Sequence, residues 1–600
     1  MTQTPPRWDL TNIYPTLDSP QLQAGMQWVT EKGKAIEQYY SEKLLPLDDK
    51  SDPQLLSRHL SMLVDDLNAL FLKTNTIRAY LNGFISTDSY NQDAMRMNSR
   101  FDISMVQINI LTTRITAWLG KIKPAMPAAL EIEGSAKQHA FALMENAEQA
   151  QYLMSEAEEI LASELNLSGG KAWDNLQGTV TSQKTALVEV NGEIKTLPMP
   201  AVINLHGHDA EDVRKRAYEA EMKAWEEIKE PIAAAMNGIK GTVNTLNRHR
   251  KRQDALHSAL DMARIDRQTL DAMMGAMQDS FPMFRRYFKA KARRFGQESL
   301  PWWNLFAPVG KIGKTYTFDE AKALILENFE TFTPELRDFA SGAFENGWLD
   351  AEQRPGKRGG AFCMSVPALK ESRVLCNFDG SLDQVSTMAH ELGHAFHNYC
   401  MYQAGKTEMQ RTTPMTMAET ASIMCETIVS NAILSGVTDP QEELAILETS
   451  LIGDAQVIVD IYSRFLFEKE VFERREKSEL SAEDLCEIME RAQMATYGDG
   501  LDKDHLHKYM WTWKPHYYST RLSFYNFPYA FGLLFGLGLY AIYKQRGDSF
   551  IPEYKQLLAS TGEGSAADLA ARFGIDIRSK KFWEGSLKVI EGKVDRYCSL

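Results

Sequence analysis

The chain has 600 residues, of which 44% are hydrophobic and 24% are charged, proportions typical of a globular protein and not of a disordered one. This length exceeds what one small core requires, so we expect two lobes or one large body with several subdomains. The formal net charge is −14, and no cluster of basic and aromatic residues offsets it, which argues against nucleic acid or an anionic membrane as a partner.

Three features of the sequence predict a cytoplasmic protein. Residues Met1–Trp8 contain neither the apolar segment nor the cleavage pattern of a secretion signal. The most apolar run, Tyr529–Tyr543, contains three glycines and is too short for a membrane span of about 20 residues, so we predict a buried helix there. The six cysteines include no C-x-x-C pair, which indicates buried free thiols in a reducing compartment.

The N-terminal part of the chain is predicted to be helical. Between about Ser19 and Glu164, apolar residues recur at spacings of three and four, as in Leu60–Phe71. From Thr185 the period changes to two on both sides of Asn191-Gly192, which predicts a β-hairpin near residues 187–195. Since the helical pattern then resumes, we place a domain boundary near residue 200, with an N-terminal helical lobe over residues 1–200.

Two short strands and a capped helix are predicted in the middle of the chain. The segments Gly359–Val366 and Arg373–Phe378 have the β-branched and aromatic content of strands. Ser381 and Gln384 have the spacing of a capping box, which predicts that a helix begins there.

That helix carries His390, Glu391 and His394 in a His-Glu-x-x-His pattern. Residues four apart lie on one helix face about 6 Å apart, so the two imidazoles can bind one metal ion. Glu391 is rotated by about 100° from His390 and can contact a metal-bound water without being a ligand. The pattern indicates a zinc-dependent hydrolase; the alternative is a pair of ordinary helix-face histidines.

A catalytic zinc ion usually has a third protein ligand. His397 shares the face of His390 but lies about 10 Å along the helix axis, so we assign it to a supporting hydrogen bond or to packing. Glu419, 25 residues after His394, is a better candidate, although Thr416 and Glu419 could instead form a capping box. Glu426 could orient a ligand histidine.

The His390–His394 motif, followed by Ala418-Glu419-Thr-Ala-Ser, resembles the oligoendopeptidase F family, relatives of thimet oligopeptidase. The segments Trp8–Pro15 and Gly359–Phe362 also resemble the family pattern, so the resemblance spans nearly the whole chain. It implies that His390, His394 and Glu419 bind one Zn²⁺ per chain and that Glu391 is the general base. It also implies a mainly α, two-lobed zincin-type fold with a small β-sheet beside the active site and a deep central channel, and residues 201–600 as the catalytic region.

The resemblance further implies substrate-binding groups outside the motif. A histidine and nearby tyrosines would bind substrate and stabilise the transition state, and these roles fall on His516, Tyr525 and Tyr529. Phe527 and Pro528 interrupt the commoner family string, so Tyr525 is the first choice for the oxyanion donor and Tyr529 the second; simple core packing is the alternative for each ring.

An extended peptide could bind to the strand edge at Gly360 and Ala361 through main-chain hydrogen bonds. Structural glycines in a hairpin are the alternative there.

The prediction is therefore a zinc endopeptidase that hydrolyses internal bonds of short peptides with metal-activated water. One alternative is a zinc carboxypeptidase, which would need a cation that binds a terminal carboxylate, and the sequence places neither Arg411 nor Arg521 at such a position. The other alternative is a non-catalytic helical peptide-binding protein, in which Glu391 would have no chemical role.

Overall fold

The computed structural model describes residues 4–310 and 313–600. Within these ranges the chain is mainly helical and contains two small β-sheets, which confirms the predicted mainly α fold class. Among the described residues, no helix combines the length and apolar character needed to cross a membrane.

The chain folds into two compact units, each built from three separate segments. The first unit contains Met1–Leu153, Lys314–Ile433 and Ile542–Gly574, and the second contains Met154–Gly313, Leu434–Ala541 and Ile575–Leu600. The predicted boundary near residue 200 lies inside the second unit, and the assignment of a helical lobe and a catalytic region to either side of it stays a prediction.

The N-terminal segment of the first unit is an array of helices. Ser19 and Asp52 cap two of them with their side chains, and a proline follows each cap, the arrangement that favours a helix start. The helices are α1 (Pro20–Tyr39), α2 (Pro53–Thr87), α3 (Gln92–Ile122), α4 (Met126–Leu130), α5 (Ser135–Gln138) and α6 (Ala140–Gln149). Their apolar faces form one buried cluster.

The first segment of the second unit contains a hairpin between helices. Its helices are α7 (Glu156–Ser168), α8 (Gly170–Gln183), α9 (Met199–Asn204), α10 (Glu211–Glu226), α11 (Lys229–His249), α12 (His257–Ala263) and α13 (Arg267–Arg294). Strands β1 (Thr185–Val190) and β2 (Glu193–Pro198) pair antiparallel. Asn191 and Gly192 have φ values of 56° and 79°, as a type I′ turn requires, so the predicted hairpin is confirmed.

The middle segment of the first unit contains a three-stranded sheet. The helices are α14 (Phe318–Phe332), α15 (Pro334–Glu345), α16 (Leu382–Gln403), α17 (Met415–Ala418) and α18 (Thr420–Gly436), and the last of these ends three residues beyond the segment. The strands are β3 (Leu349–Asp350), β4 (Phe362–Val366) and β5 (Glu371–Leu375). The order is β3-β5-β4, with β4 antiparallel to β5 and at one edge. The two predicted strands are therefore confirmed, with ends shifted by a few residues.

This sheet is joined to the N-terminal part of the same unit. Leu375 of β5 belongs to the buried helical cluster. Arg373 is fully buried, and its Nε donates a hydrogen bond to the carbonyl of Asp9 at 3.0 Å. The opening segment that resembled the family pattern therefore fixes the position of β5.

The remaining helices complete both units. They are α19 (Pro440–Ala455), α20 (Ile461–Arg475), α21 (Ala482–Tyr497), α22 (Phe527–Arg546), α23 (Ile551–Ser560), α24 (Ala566–Ala571) and α25 (Lys580–Ser599). Helix α22 contains the apolar run Tyr529–Tyr543 and buries residues such as Phe531, Leu534 and Phe535, which confirms the predicted buried helix.

The six cysteines, all within the described ranges, are free thiols. Four are buried, but Cys363 is only half-buried and Cys598 is exposed. The prediction of burial is therefore wrong for Cys598, because it lies at the end of α25, near the C-terminus of the chain, where little packs over it.

Candidate metal centre

Helix α16 carries the His-Glu-x-x-His residues. Ser381 caps it by accepting a hydrogen bond from the backbone N–H of Gln384 at 3.3 Å. A capping box also requires the Gln384 side chain to accept a hydrogen bond from the backbone N–H of Ser381. That part of the prediction is wrong, because Gln384 Oε1 has no hydrogen-bond partner among the described residues. The rings of His390 and His394 lie edge to face with centroids 4.9 Å apart, as expected for residues four apart on one face.

Glu419 lies between α17 and α18, where the chain returns to α16. Its Oε2 is 3.1 Å from Nε2 of His390 and 3.3 Å from Nε2 of His394. The three side chains each offer one ligand atom within 4.8 Å of the others. Thr416 lies inside α17, whose N-cap residue is Pro414, so it does not occupy the N-cap position that the alternative capping box requires.

Gly393 allows α18 to approach α16 at this point. A Cβ atom on Gly393 would lie 2.6 Å from the carbonyl oxygen of Ala421 and 2.6 Å from Cα of Ser422. Both are backbone atoms that cannot move without moving the helix, so a residue without a side chain is required here. The glycine between the two histidines therefore sets the distance at which Glu419 meets them.

Further polar groups support the three side chains. His390 Nδ1 lies 2.9 Å from Oε2 of Glu426, and the hydroxyl of Ser422 donates to Oε2 of Glu419 at 2.7 Å. Burial lowers the pKa of His390, but the hydrogen bonds to Glu419 and Glu426 outweigh this effect and raise it to about 10. Burial raises the pKa of Glu419, whereas the two histidines lower it far below its ordinary value. The carboxylates of Glu419 and Glu426 thus stabilise a positive charge at His390, as they would stabilise a bound cation.

Glu391 is the unpaired acid of the site. Its residue is only 6% exposed, and its Oε2 has no hydrogen-bond partner among the described residues. Burial raises the pKa of its carboxyl group. Because a buried carboxylate oxygen without a partner is costly, this atom has the character of a functional group.

His397 is held away from the ligand group by other contacts. Its Nε2 lies 3.1 Å from the carbonyl oxygen of Leu558 and 2.9 Å from Oγ1 of Thr561. Burial lowers the pKa of His397 to about 4. It is therefore a neutral histidine bonded to the end of α23, and its exclusion from the ligands stays a prediction.

A cavity of about 560 Å³ opens onto these residues. It is lined by Ala361, Phe362, Cys363, Ser365, His390, Glu391, His394, His397, Asn398, Met401, Arg411, Thr413, Ala418 and Glu419. The edge strand β4 thus borders the same space as the histidines. Next to it, Gly360 has a φ of 79° and a Cβ there would meet nothing within 4 Å, which leaves its backbone open to close approach.

Several of these cavity residues were not identified from the sequence. Cys363, Ser365 and Asn398 have no motif that marks them, but alternation along β4 and helical spacing along α16 could have suggested them. Arg411 lies in an irregular segment, where no periodicity applies.

The three aromatic candidates lie together in the second unit. The hydroxyl groups of Tyr525 and Tyr529 are 2.7 Å apart, and the rings of His516 and Tyr525 have centroids 5.6 Å apart. Nε2 of His516 is buried without a hydrogen-bond partner among the described residues. Burial lowers the pKa of His516 to about 3, so the ring is neutral. The roles predicted for these residues toward a substrate stay proposals.

The chain is similar in sequence to known peptidases. The family model for peptidase family M3 matches residues 205–589. Oligopeptidase PepF of Bacillus subtilis is 24% identical over 455 residues, which cover 75% of this chain and 66% of that protein. The match therefore spans about two thirds of that relative's length.

Solved structures show the same fold. A chain described as a peptidase from Chlamydophila abortus matches with a TM-score of 0.84 at 19% identity and covers 100% of both chains. Oligoendopeptidase F from Enterococcus faecium matches with a TM-score of 0.67 at 16% identity, covering 96% of this chain and 98% of that one. The predicted resemblance to oligoendopeptidase F and the predicted class of metallopeptidase are confirmed. With almost two thirds of its length matched by the family model, the chain belongs to peptidase family M3.

Proposed function

We propose that this protein is a zinc-dependent endopeptidase that hydrolyses internal bonds of oligopeptides. The observation that carries the proposal is the convergence of ligand atoms of His390, His394 and Glu419 within 4.8 Å, beside the buried Oε2 of Glu391, which has no hydrogen-bond partner among the described residues. Two imidazoles and one carboxylate are the ligand set that a catalytic zinc site uses, with one position left for water.

The residues fit a metal ion in their chemistry. With Glu426 accepting the Nδ1 proton of His390, loss of the Nε2 proton would leave the Nε2 lone pair for the metal. A Zn²⁺ ion bound by the three side chains would polarise the carbonyl of the scissile bond and lower the pKa of a bound water.

Glu391 is the proposed general base. Its carboxylate would accept the proton of the attacking water and pass that proton to the leaving amine. Burial raises the pKa of Glu391, which makes it a stronger base than a glutamate in water. No covalent intermediate with the protein is needed.

The backbone around β4 is the proposed binding surface for the peptide. Its outer edge has no neighbouring strand among the described residues, so an extended peptide can add to it at Gly360 and Ala361. Tyr525 is proposed to donate a hydrogen bond to the developing oxyanion, with His516 and Tyr529 assisting in binding, as the family resemblance implies. A deep channel that admits only short peptides is part of the same proposal.

A cytoplasmic location is also proposed. It is supported by the six free cysteines, which suit a reducing compartment.

The test is to measure metal content and hydrolysis on one preparation. We expect one zinc ion per chain and cleavage of internally quenched peptides that are blocked at both ends. Removal of the metal by a chelator should abolish cleavage, and added Zn²⁺ should restore it. A strict carboxypeptidase would leave end-blocked peptides intact, and a binding protein without catalysis would bind them without cleavage.

A further inference from the structure

The cavity next to the histidines extends well beyond them. It continues along α16 to Asn398 and Met401, which lie four and seven residues after His394 and therefore about 6 and 10 Å further along the helix axis. It also follows β4 to Ser365. A peptide that is cut at the histidines would thus place residues on one side of the scissile bond in this extension.

Arg411 lies at the far end of this extension. Its Nη2 donates a hydrogen bond to Oγ of Ser365 at 2.7 Å, and its guanidinium group stacks on the ring of Tyr402, 4.1 Å from the centroid. The side chain of Arg411 is only 8% exposed. Among the described residues that line the cavity, it is the only lysine or arginine.

The segment that carries Arg411 is irregular but firmly anchored. Residues 404–414 connect α16 to α17, and side chains of the N-terminal helices bind three of them. Asn75 donates to Glu408 at 2.8 Å, Asn68 accepts from the N–H of Met409 at 3.0 Å, and His139 contacts Thr407 at 2.7 Å. Such anchoring holds the guanidinium group in place before any ligand binds.

The hydrogen-bonding capacity of Arg411 is not used up. A guanidinium group has five N–H donors. Nη1 donates to Oε1 of Glu408 at 2.7 Å, and Nη2 donates to Ser365, but Nε has no partner among the described residues. Glu408 is itself shared with Asn75. A buried arginine with free donors is a suitable partner for a carboxylate, which it can bind through two hydrogen bonds.

We propose that Arg411 forms a carboxylate-binding subsite that determines peptide specificity. The extension runs about 10 Å along α16 from His394 to Met401, which corresponds to two or three extended peptide residues at about 3.3 Å each. The subsite would therefore select peptides with a carboxylate two or three residues from the bond that is cut. The carboxylate is either an acidic side chain or a free C-terminus. This inference rests on the proposed peptidase function.

The test measures binding, so that it does not depend on turnover. All proteins carry Glu391→Gln and bound zinc, and Kd is measured by fluorescence anisotropy. The first set consists of hexapeptides blocked at both ends, in which a single glutamate occupies each position in turn. The second set has glutamine in place of that glutamate. One further glutamine peptide has a free C-terminus. We expect at least one carboxylate peptide to bind about tenfold tighter than its neutral match, the effect of one charge-assisted contact. The peptide that shows this preference identifies the source of the carboxylate.

Three variants separate a subsite from a structural role. Arg411→Gln should reduce the preference to less than about twofold, whereas Arg411→Lys should keep part of it. Glu408→Gln removes the competing carboxylate and should increase the preference. If Arg411 had only a structural role, Glu408→Gln and Arg411→Gln would both weaken binding of every peptide. The ratio of the affinities for the carboxylate peptide and its neutral match would then stay the same. Arg337→Gln, which removes a partly exposed arginine paired with Glu330, is the control and should keep the affinity ratio of the Glu391→Gln parent.

The proposal is overturned if no carboxylate peptide is preferred, or if the preference persists in Arg411→Gln. Failure of the peptidase function would instead appear as wild-type protein that binds peptides without cleaving any of them. The two results are therefore distinguishable.

Discussion

Replacing Gly393 with alanine is expected to separate Glu419 from the two histidines. The new Cβ would lie 2.6 Å from two backbone atoms of α18, about 0.8 Å closer than the 3.4 Å at which ordinary van der Waals contact begins. Metal–ligand distances are fixed to about 0.2 Å. A displacement of even half the required distance would therefore take the carboxylate out of coordination range.

The expected cost follows from overpacking, which destabilises proteins by about 1–3 kcal/mol. If this overpacking destabilises the zinc-bound protein but is relieved in the zinc-free protein, zinc affinity should fall by about 10- to 100-fold. Chelator competition gives the affinity, and hydrolysis of an end-blocked peptide at limiting zinc should fall in parallel.

Gly342→Ala is the matched control in the same unit. Gly342 lies within α15, and its Cβ would meet only Nδ2 of Asn346 at 3.7 Å, so alanine should be tolerated or stabilise the helix by about 0.5–1 kcal/mol. If the Gly393→Ala protein kept wild-type zinc affinity and turnover, the close approach of α18 to α16 would not be what brings Glu419 to the histidines.

Three further expectations concern other residues. Glu426→Gln should weaken zinc binding by about 10- to 100-fold in the same competition assay, because His390 loses its charged hydrogen-bond acceptor; a change below twofold would contradict this. Tyr525→Phe should lower kcat far more than it raises KM, and an unchanged kcat would move the oxyanion role to another residue. Glu221 is buried between His206 and His507; burial raises its pKa, but the histidines lower it far below the ordinary value. The ionised carboxylate thus contributes stability that is fully present above the unfolded pKa of about 4.5 and is lost as the pH falls toward the folded value. Urea unfolding should show Glu221→Gln to be less stable than wild type by about 3 kcal/mol at pH 7, with the difference shrinking below pH 4.5; a difference that is constant with pH would contradict it.

Local patterns predicted the elements that local interactions form. The Asn191-Gly192 pair predicted the hairpin because both residues accept the left-handed conformation that a type I′ turn needs. The spacing of His390 and His394 placed both rings on one face, and the rise of the helix excluded His397 from the ligand group. The hairpin and the shared face of the two histidines are found in the structure because each depends on a few consecutive residues, whereas the exclusion of His397 from the ligands stays a prediction.

Features that depend on distant segments could not be predicted in this way. The two units are built from interleaved segments, which no composition shift along the chain marks. The place of Arg411 in the cavity depends on contacts to Asn68, Asn75 and His139, more than 250 residues earlier. Glu419 was identified with the help of a family resemblance, because the close approach that brings it to α16 depends on a single glycine.

The most direct test of the proposed chemistry is the Glu391→Gln variant assayed with its metal content known. The amide keeps the size of the side chain but cannot accept the proton of the attacking water. We expect one zinc ion per chain in both proteins and a fall in kcat of at least about 100-fold on an end-blocked peptide, the typical contribution of a general base. Near-normal turnover by Glu391→Gln protein with zinc still bound would contradict the proposed mechanism.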